Sequence, residues 1–589
     1  MKERNQIIKN NIKKIIFSLF GTIGIIKTYE LTTLSNLSNN IINIFLFILI
    51  FNMYKIVQKV QKKENIFSLC FSLILSTIII IGTQLDLYGE IFWTLSTLLK
   101  IFCLIFFILP IVLYSINFFK KIKIKKNIEY TKKIKIITFT IIFLFDFLVF
   151  LALYPGIYGY DAGFQILEIL DHNVQLTSHF SILFSYLLAN CIKLGKLLFN
   201  NYEAGLAIYT LIQTTFMTYV STKISVYIIK KTQNKLLYIL TVSFFCVFPL
   251  YTIMIISTAQ DVIFAGLFAL IVLNLIELAT NRDYYSKKIN LIKLMTLILL
   301  LCGIRNNGFY AIIVTIPFIM LFQKNKKILT LLTFVIPLIV YKIYTGPVYN
   351  LLNVYIEPSI KEMSSIPSQQ LARVYNYNYS ILDQEDLNFY NNYYTDLDSF
   401  KYYTYRQSIS DPIKSVLNTT KTSENINQYV YFWIKIGIKD LENYTEAFLM
   451  NNIGTWYPNK NYNDDRMYHP YIEYNMLEAK KWNDKYIVIN RKSLFPLYEK
   501  ILKVLVEKNA WKKIPIISNL FTTGTYFIIF LYTLGLAIIK NKKHYLIPLG
   551  CMIGLYATIL LAPVSLFRYI FPIILLFPVM ISIIIEKEN

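Results

Sequence analysis

The chain has 589 residues, of which 55% are hydrophobic, 16% aromatic and 16% charged, with a mean hydropathy of +0.48. A soluble domain carries about 25% charge, so this composition excludes an ordinary soluble protein, a disordered chain, a collagen-like repeat and a secreted disulfide scaffold. The net charge is +24, but its lysines stand in short clusters between apolar runs, at 59–65, 120–127, 230–235, 323–327 and 540–543, the pattern of cytoplasmic loops and not of a nucleic-acid-binding surface.

A membrane-crossing helix needs roughly 20 mostly apolar residues. In chain order such segments fall at 15–29, 41–54, 66–83, 92–116, 136–154, 204–229, 236–256, 261–280, 289–304, 309–322, 328–346, 514–539, 544–562 and 568–585, about fourteen spans in an all-α polytopic protein. The first follows Lys2, Arg4, Lys9, Lys13 and Lys14 with no small-residue cleavage site behind it, which predicts a retained anchor and a cytoplasmic N-terminus. Residues 1–135 form a four-helix membrane module, 136–346 a membrane core and 514–589 a three-helix segment that ends in the cytoplasm. The six cysteines all lie within apolar runs, so no disulfide framework is expected.

The apolar run 179–199 decides the parity of every later span. A helix lying on the outer membrane surface, with Lys193 and Lys196 reaching for headgroups, keeps all later lysine clusters inside; the alternative is a re-entrant or tilted span. On this map residues 155–178, the junctions at Asp261 and Arg305, the turn before Arg568 and the long polar segment 347–513 face outward. That last segment is too long for a connector and is expected to be a mainly helical external domain inserted before the last three helices.

The outward positions gather the residues that suit chemistry. In YPGIYGYDAGFQILEILDHN (154–173), Pro155 and Gly156 end a helix, and Gly159 and Gly163 allow Asp161 close to a partner. A carboxylate at the mouth of a membrane cavity can serve as a general base; the plainer reading is an acidic residue in a solvated loop. Asp261, in STAQD, either favours the start of its helix through the dipole or acts in the site. Arg305 and Arg568 stand where positive-inside statistics do not place them. Each either meets a buried phosphate with its planar fork of donors or reaches the interface as a structural anchor. His172, His179, His469 and His544 show no zinc spacing, and no nucleotide loop or serine elbow is present.

With these residues in view, the chain resembles the GT-C superfamily of polytopic membrane glycosyltransferases. The resemblance rests on Pro155, Gly156, Asp161 and Gln165, then His179 opening an apolar run, Asp261 starting a later span, the turn Arg305–Gly308 and the terminal RYIFP from Arg568 to Pro572. More closely, it is similar to an uncharacterised bacterial membrane family of that superfamily, in which segments like IPSQQLARVY (366–375), SDPIKSVL (410–417), YTEAFLMNNIGTWYP (444–458) and RYIFP recur in this order. The likeness covers roughly residues 136–585, and the preceding spans look appended.

The resemblance implies a GT-C-like fold and an enzyme, an inverting transferase that moves a sugar from a polyprenyl-phosphate donor to a glycan or protein acceptor on the outer face of the cell membrane. Asp161 becomes the base and Asp261 the second carboxylate, beside which a divalent metal is possible. Gln165, His179, Arg305, Asn307, Arg568 and Tyr569 become substrate contacts, the arginines by position and chemistry. Two positions depart from the pattern: Phe180 follows His179 where proline is usual, and Gln260 precedes Asp261 where lysine is common. A flippase or transporter of lipid-linked glycans, a glycan polymerase or ligase and an inactive relative are the competing readings. The transporter would show pseudo-symmetric halves or helices broken in the membrane, and no such feature is legible in the sequence.

Overall fold

The computed structural model describes residues 2–33, 40–57, 60–122, 125–159, 161–323, 325–401, 405–458, 472, 487–514 and 517–586. Among them the fold is all helical, with only isolated β-bridges and no strand. The N-terminal module consists of α1 (Lys2–Thr33), α2 (Asn40–Ile56), α3 (Lys62–Tyr88) and α4 (Leu95–Lys121). The core follows as α5 (Lys132–Ala152), α6 (Ala162–Leu170), α7 (Ile182–Phe199), α8 (Tyr202–Thr232), α9 (Lys235–Val247), α10 (Pro249–Met254), α11 (Gln260–Thr280), α12 (Lys288–Ile304), α13 (Asn307–Phe322) and α14 (Lys327–Ile343). The inserted polar segment includes α15 (Ser365–Tyr377), α16 (Gln384–Tyr393), α17 (Ile426–Lys439), α18 (Leu441–Asn451) and α19 (Pro496–Leu505). The chain closes with α20 (Thr523–Ile539), α21 (Leu546–Leu560), α22 (Phe567–Leu575) and α23 (Phe577–Ile585).

Among the described residues eight helices are long and apolar enough to cross a membrane, or nine when α22 and α23, bent by 44°, count as one span. Each expected apolar segment contains a helix, but α2, α9, α12, α13 and α20 have 17 residues or fewer. Helix α8 falls outside the eight for another reason: its Thr210, Gln213, Thr214, Thr218, Ser221, Thr222 and Ser225 are all buried. These polar groups face protein and not lipid, where interhelical hydrogen bonds hold helices together. Thr218 Oγ1 donates to the buried Asp146 carboxylate of α5 at 2.9 Å, and the hydroxyls of Ser221 and Tyr251 are 2.7 Å apart. Helix α7 belongs to the eight, so by length and composition the run expected to lie on the surface also suffices to cross. The bend between α22 and α23, flanked by Pro572 and Pro578, is a broken helix that the apolar pattern does not announce.

The basic loops meet at one end of the bundle. Asn127 accepts from Lys235 N and donates its own N–H to Gln233 O, while Lys231 and Lys542 both pair with Glu586. The inserted segment lies at the other end. It begins later than residue 347, because α14 runs on through a π-helical turn at Tyr344–Val348 to Leu351. Its centre has a core of its own, in which Tyr390, Tyr393, Tyr394, Phe400, Tyr429, Phe432 and Ile436 pack together. Met450, Ile453, Trp456 and Tyr457 instead join the membrane core, so this stretch couples the two. His469 lies outside the described residues.

The N-terminal module is joined to the rest at two levels. Phe67 of α3 packs at a tilt, and Phe71 edge-on, against Tyr532 of α20, and Thr83 meets the Tyr457 hydroxyl at 2.9 Å. At the turn between α3 and α4, the fully buried Arg373 of α15 donates to Gly89 O at 2.7 Å and to Glu446 Oε2 at 2.5 Å. Glu446 Oε1 in turn accepts from Ile91 N at 2.6 Å. Removing one member of a buried ion pair strands the other charge, at a cost of about 3–5 kcal/mol. Arg373→Met is therefore expected to lower the thermal unfolding midpoint of the detergent-purified protein and to speed hydrogen exchange at residues 89–94; an unchanged midpoint and exchange would show that the pair does not join the module to the inserted domain.

Candidate functional site

The site is assembled where five helix ends meet opposite the basic loops. Residues 154–159 leave α5 and lie along the segment before α11. Ile157 N donates to Ile256 O at 3.0 Å, and Thr258 N donates to Ile157 O at 3.0 Å. The Thr258 hydroxyl bridges Gly159, accepting from its N–H at 3.1 Å and donating to its C=O at 3.0 Å. Gly156 permits this approach: its φ is +135°, and a Cβ there would collide with the Thr210 hydroxyl and crowd Ile256 O. From α8, Gln213 Nε2 donates to both Ile255 O and Ser257 O at 2.8 Å, with Tyr209 donating to Gln213 Oε1. The backbone before Asp261 is thereby fixed from both sides.

This docking puts Asp161 at the start of α6 beside Asp261 in the first turn of α11. Arg305 ends α12 and forms an ion pair with Asp261 Oδ1. Arg568, in the first turn of α22, reaches Asp161 Oδ2 at 3.5 Å through Nη1 and Asp261 Oδ2 at 3.6 Å through Nε. Both guanidinium groups lie over the Tyr569 ring, at 4.4 and 5.4 Å from its centroid. The two carboxylates differ in exposure, with Asp261 2% and Asp161 41% accessible. Burial makes Asp261 the structural counter-ion, since such a charge persists only when paired; Asp161 remains reachable by solvent. Arg568 at a helix N-terminus opposes the helix dipole, and the two aspartates offset that cost.

Of the remaining expected residues, Asn307 lines a cavity with Asp261, Phe264, Arg305, Leu555, Ile559 and Tyr569. Its volume is about 10 Å³, the room of a single water molecule, so the charges lie against one another and a ligand phosphate must part them. Gln165 is buried and donates from Nε2 to Gln260 Oε1 at 3.3 Å. The glutamine at 260 thus meets a neutral partner beside the charges. His179 is not brought into the cluster: its Nδ1 lies 3.1 Å from Glu357 Oε2, on a strap where Thr177 and Tyr355 pair as a bridge. Phe180 stacks on Phe164 of α6, occupying the place where the resemblance expects proline.

Several contributors carry no motif. Glu168 of α6 accepts from Thr177 Oγ1 at 2.7 Å, and burial pushes its carboxyl up to about 7 against the opposing effects of Thr177 and His179. The turn before Arg568 is held by the inserted domain: Ser410 N donates to Pro563 O at 2.9 Å, Asn451 Nδ2 to Ala562 O at 2.9 Å, and Thr455 meets Ser565 at 2.9 Å. Among the described residues no three His, Cys, Asp or Glu side chains converge as metal ligands. Asp161 and Asp261 each face a guanidinium, which makes an ion-pair network; these residues do not fit a resident divalent metal.

The family of unknown function DUF6020 matches the chain over residues 7–589. The chain belongs to this family. The match takes in the four N-terminal helices, the core, the inserted domain and the closing helices, so the module before residue 136 is part of the DUF6020 unit. No curated protein and no solved structure matches the chain.

The unequal burial of the two aspartates separates their roles. Asp261→Asn strips Arg305 of its buried partner and is expected to destabilise the protein by about 3–5 kcal/mol, whereas Asp161→Asn, at a half-exposed pair, should cost under about 1 kcal/mol. Thermal unfolding of the two purified variants checks this, and equal losses would contradict the assignment of Asp261 as the counter-ion.

Proposed function

We propose that the protein is a GT-C-type membrane glycosyltransferase that takes a sugar from a polyprenyl-phosphate donor and passes it to a cell-envelope acceptor, glycan or protein, on the outer face of the membrane. The observation that supports this most is the convergence of Arg305, Arg568, Asp161 and Asp261 over Tyr569 at the end of the bundle opposite the lysine-rich loops. Two arginines beside an exposed carboxylate suit a reaction in which a lipid phosphate departs while an acceptor hydroxyl loses its proton. The lysine-rich end is the cytoplasmic one by the positive-inside rule, which puts the cluster outside and both termini within the cell.

In this reaction the donor phosphate displaces the aspartates from Arg568 and Arg305, whose forks of donors suit its oxygens. Asp161, released from Arg568, accepts the proton of the acceptor hydroxyl. The acceptor oxygen bonds to the anomeric carbon as the bond from that carbon to the phosphate oxygen breaks, with inversion. Polyprenyl phosphate leaves with its added negative charge against the two guanidinium groups. Gln165, Asn307 and Tyr569 line the same end and contact the sugar, and the inserted domain, which holds the turn before Arg568, selects the acceptor. A polymerase or ligase of lipid-linked glycans would use the same chemistry with a larger donor.

A transporter or flippase of lipid-linked glycans is the second reading, favoured by the bend between α22 and α23 at Leu576, eight residues beyond Arg568. One experiment separates them: radiolabelled sugar transfer by the purified protein in lipid, over a panel of polyprenyl-phosphate sugars, beside Asp161→Asn. A catalytic base contributes about 10²–10⁴-fold, so the variant is expected to lose transfer by at least the lower figure while keeping its unfolding midpoint. Full turnover in Asp161→Asn removes that residue from the mechanism. Silence of both proteins, with movement of a labelled lipid-linked glycan across proteoliposomes, assigns the transporter.

A further inference from the structure

Helix α17 has three faces where a helix on a soluble domain needs two. Tyr429, Phe432 and Ile436 are buried in the aromatic core of the inserted domain. Lys435 and Lys439 form a second face, paired with Asp383, Glu385 and Asp386. The third carries Ile426, Val430, Ile434 and Ile438 at successive i, i+4 positions, with Tyr431 beside them, and all are exposed. Ile438 is 78% accessible, and Leu441, which opens α18, is 72% accessible. Between the two helices lies an apolar groove of about 280 Å³ lined by Trp433, Ile434, Gly437, Ile438, Leu441 and Tyr444. An unbroken exposed apolar stripe of this length marks an interaction surface.

The position of α18 identifies what covers it. Glu446 is bonded to the turn between α3 and α4, and Asn451 and Asn452 donate to Ala562 O and Leu560 O at the end of α21. These two attachments lay α18 along the level at which the helices of the bundle end. Leu441 is five residues before Glu446, so at 1.5 Å per residue the elbow between α17 and α18 projects about 7 Å past the α3–α4 turn. Trp93 of that turn is exposed, as are Leu87, Leu95 and Leu98 on the two flanking helices, both long and apolar enough to cross a membrane. The stripe therefore continues the apolar surface of α3 and α4 at the interfacial level, with Glu90 and Glu442 close enough there for their charges to interact.

We propose that this elbow is seated in the membrane leaflet on its own side, with the third face of α17 against acyl chains and a lipid chain lying in the groove beside Gly437. Such a helix lies in the interface plane with its apolar side buried among headgroups and upper acyl carbons. The inserted domain is then anchored twice, by Arg373 and Glu446 to the bundle and by α17 to lipid. The inference stands apart from the proposed chemistry, since it uses only the placement of α17 and α18.

The test uses the full chain in bilayer discs of phosphatidylcholine and phosphatidylglycerol, with Cys70→Ala removing the exposed thiol. Nitroxide labels are placed singly through Ile434→Cys and Ile438→Cys, with Gln428→Cys as the water-facing reference; each position stands alone if another variant fails to fold. The expected result is that oxygen relaxes the labels at 434 and 438 several-fold more than a water-soluble nickel chelate does, with the reverse at 428. Relaxation by the chelate at 434 and 438 matching that at 428 would overturn the proposal. Protection from both agents would overturn it too, and would assign the stripe to a second copy of the chain or another protein.

Discussion

Asp261 is a carboxylate, 2% accessible, at the first turn of a helix packed inside a membrane bundle. Taking such a charge out of water costs several kcal/mol unless cations and hydrogen-bond donors meet it. That one requirement orders the whole end of the molecule. Arg305 must end α12 at this level, Arg568 must enter the same space from α22, and Asp161 is drawn to the side of Arg568 that Asp261 leaves open. Tyr569 offers both guanidinium groups a ring, which with the two carboxylates offsets the repulsion between the like charges. The cluster is stable as a closed network, and its opening to an anion is the step that the proposed reaction needs.

The inserted domain and the N-terminal module take their places from this arrangement. Ser410, Asn451 and Thr455 hold the turn ahead of Arg568, and Arg373 and Glu446 tie the same domain to the α3–α4 turn. The segments IPSQQLARVY, SDPIKSVL and YTEAFLMNNIGTWYP, which read only as recurring words, are the ones that make these contacts. A change in the inserted domain can thus reach the charged cluster through a single turn, and the first four helices are bound into the same framework.

The helices of the bundle were largely legible because lipid-facing composition is coarse and continuous over about 20 residues. The charged cluster was legible residue by residue, since arginine on the side opposite the lysines and aspartate after Pro-Gly are locally unusual. Their mutual contact was not legible: it depends on hydroxyls such as Thr258 and on Gln213, whose local sequence resembles any polar position on an interior helix. His179 was expected among them through the resemblance, yet the bridge of Thr177 to Tyr355 carries it to Glu357. Helix α8 shows the same limit from the other direction, as its buried Thr and Ser lower its average hydropathy although they pack inside protein. The bend between α22 and α23 arises from prolines within an otherwise unbroken apolar run, which hydropathy alone does not separate from a straight span.

The central claim is that Arg305 and Arg568 form a site for a lipid phosphate once the aspartates release them. Its most direct measurement is the affinity of the purified protein in lipid discs for a short-chain polyprenyl phosphate, compared with that of Arg568→Gln. A hydrogen-bonded charge pair contributes about 1.5–3 kcal/mol, so the variant should bind at least tenfold more weakly, with its unfolding midpoint little changed because Asp161 is half exposed and Asp261 keeps Arg305. Equal affinity in the two proteins would contradict the claim and leave the cluster a purely structural device.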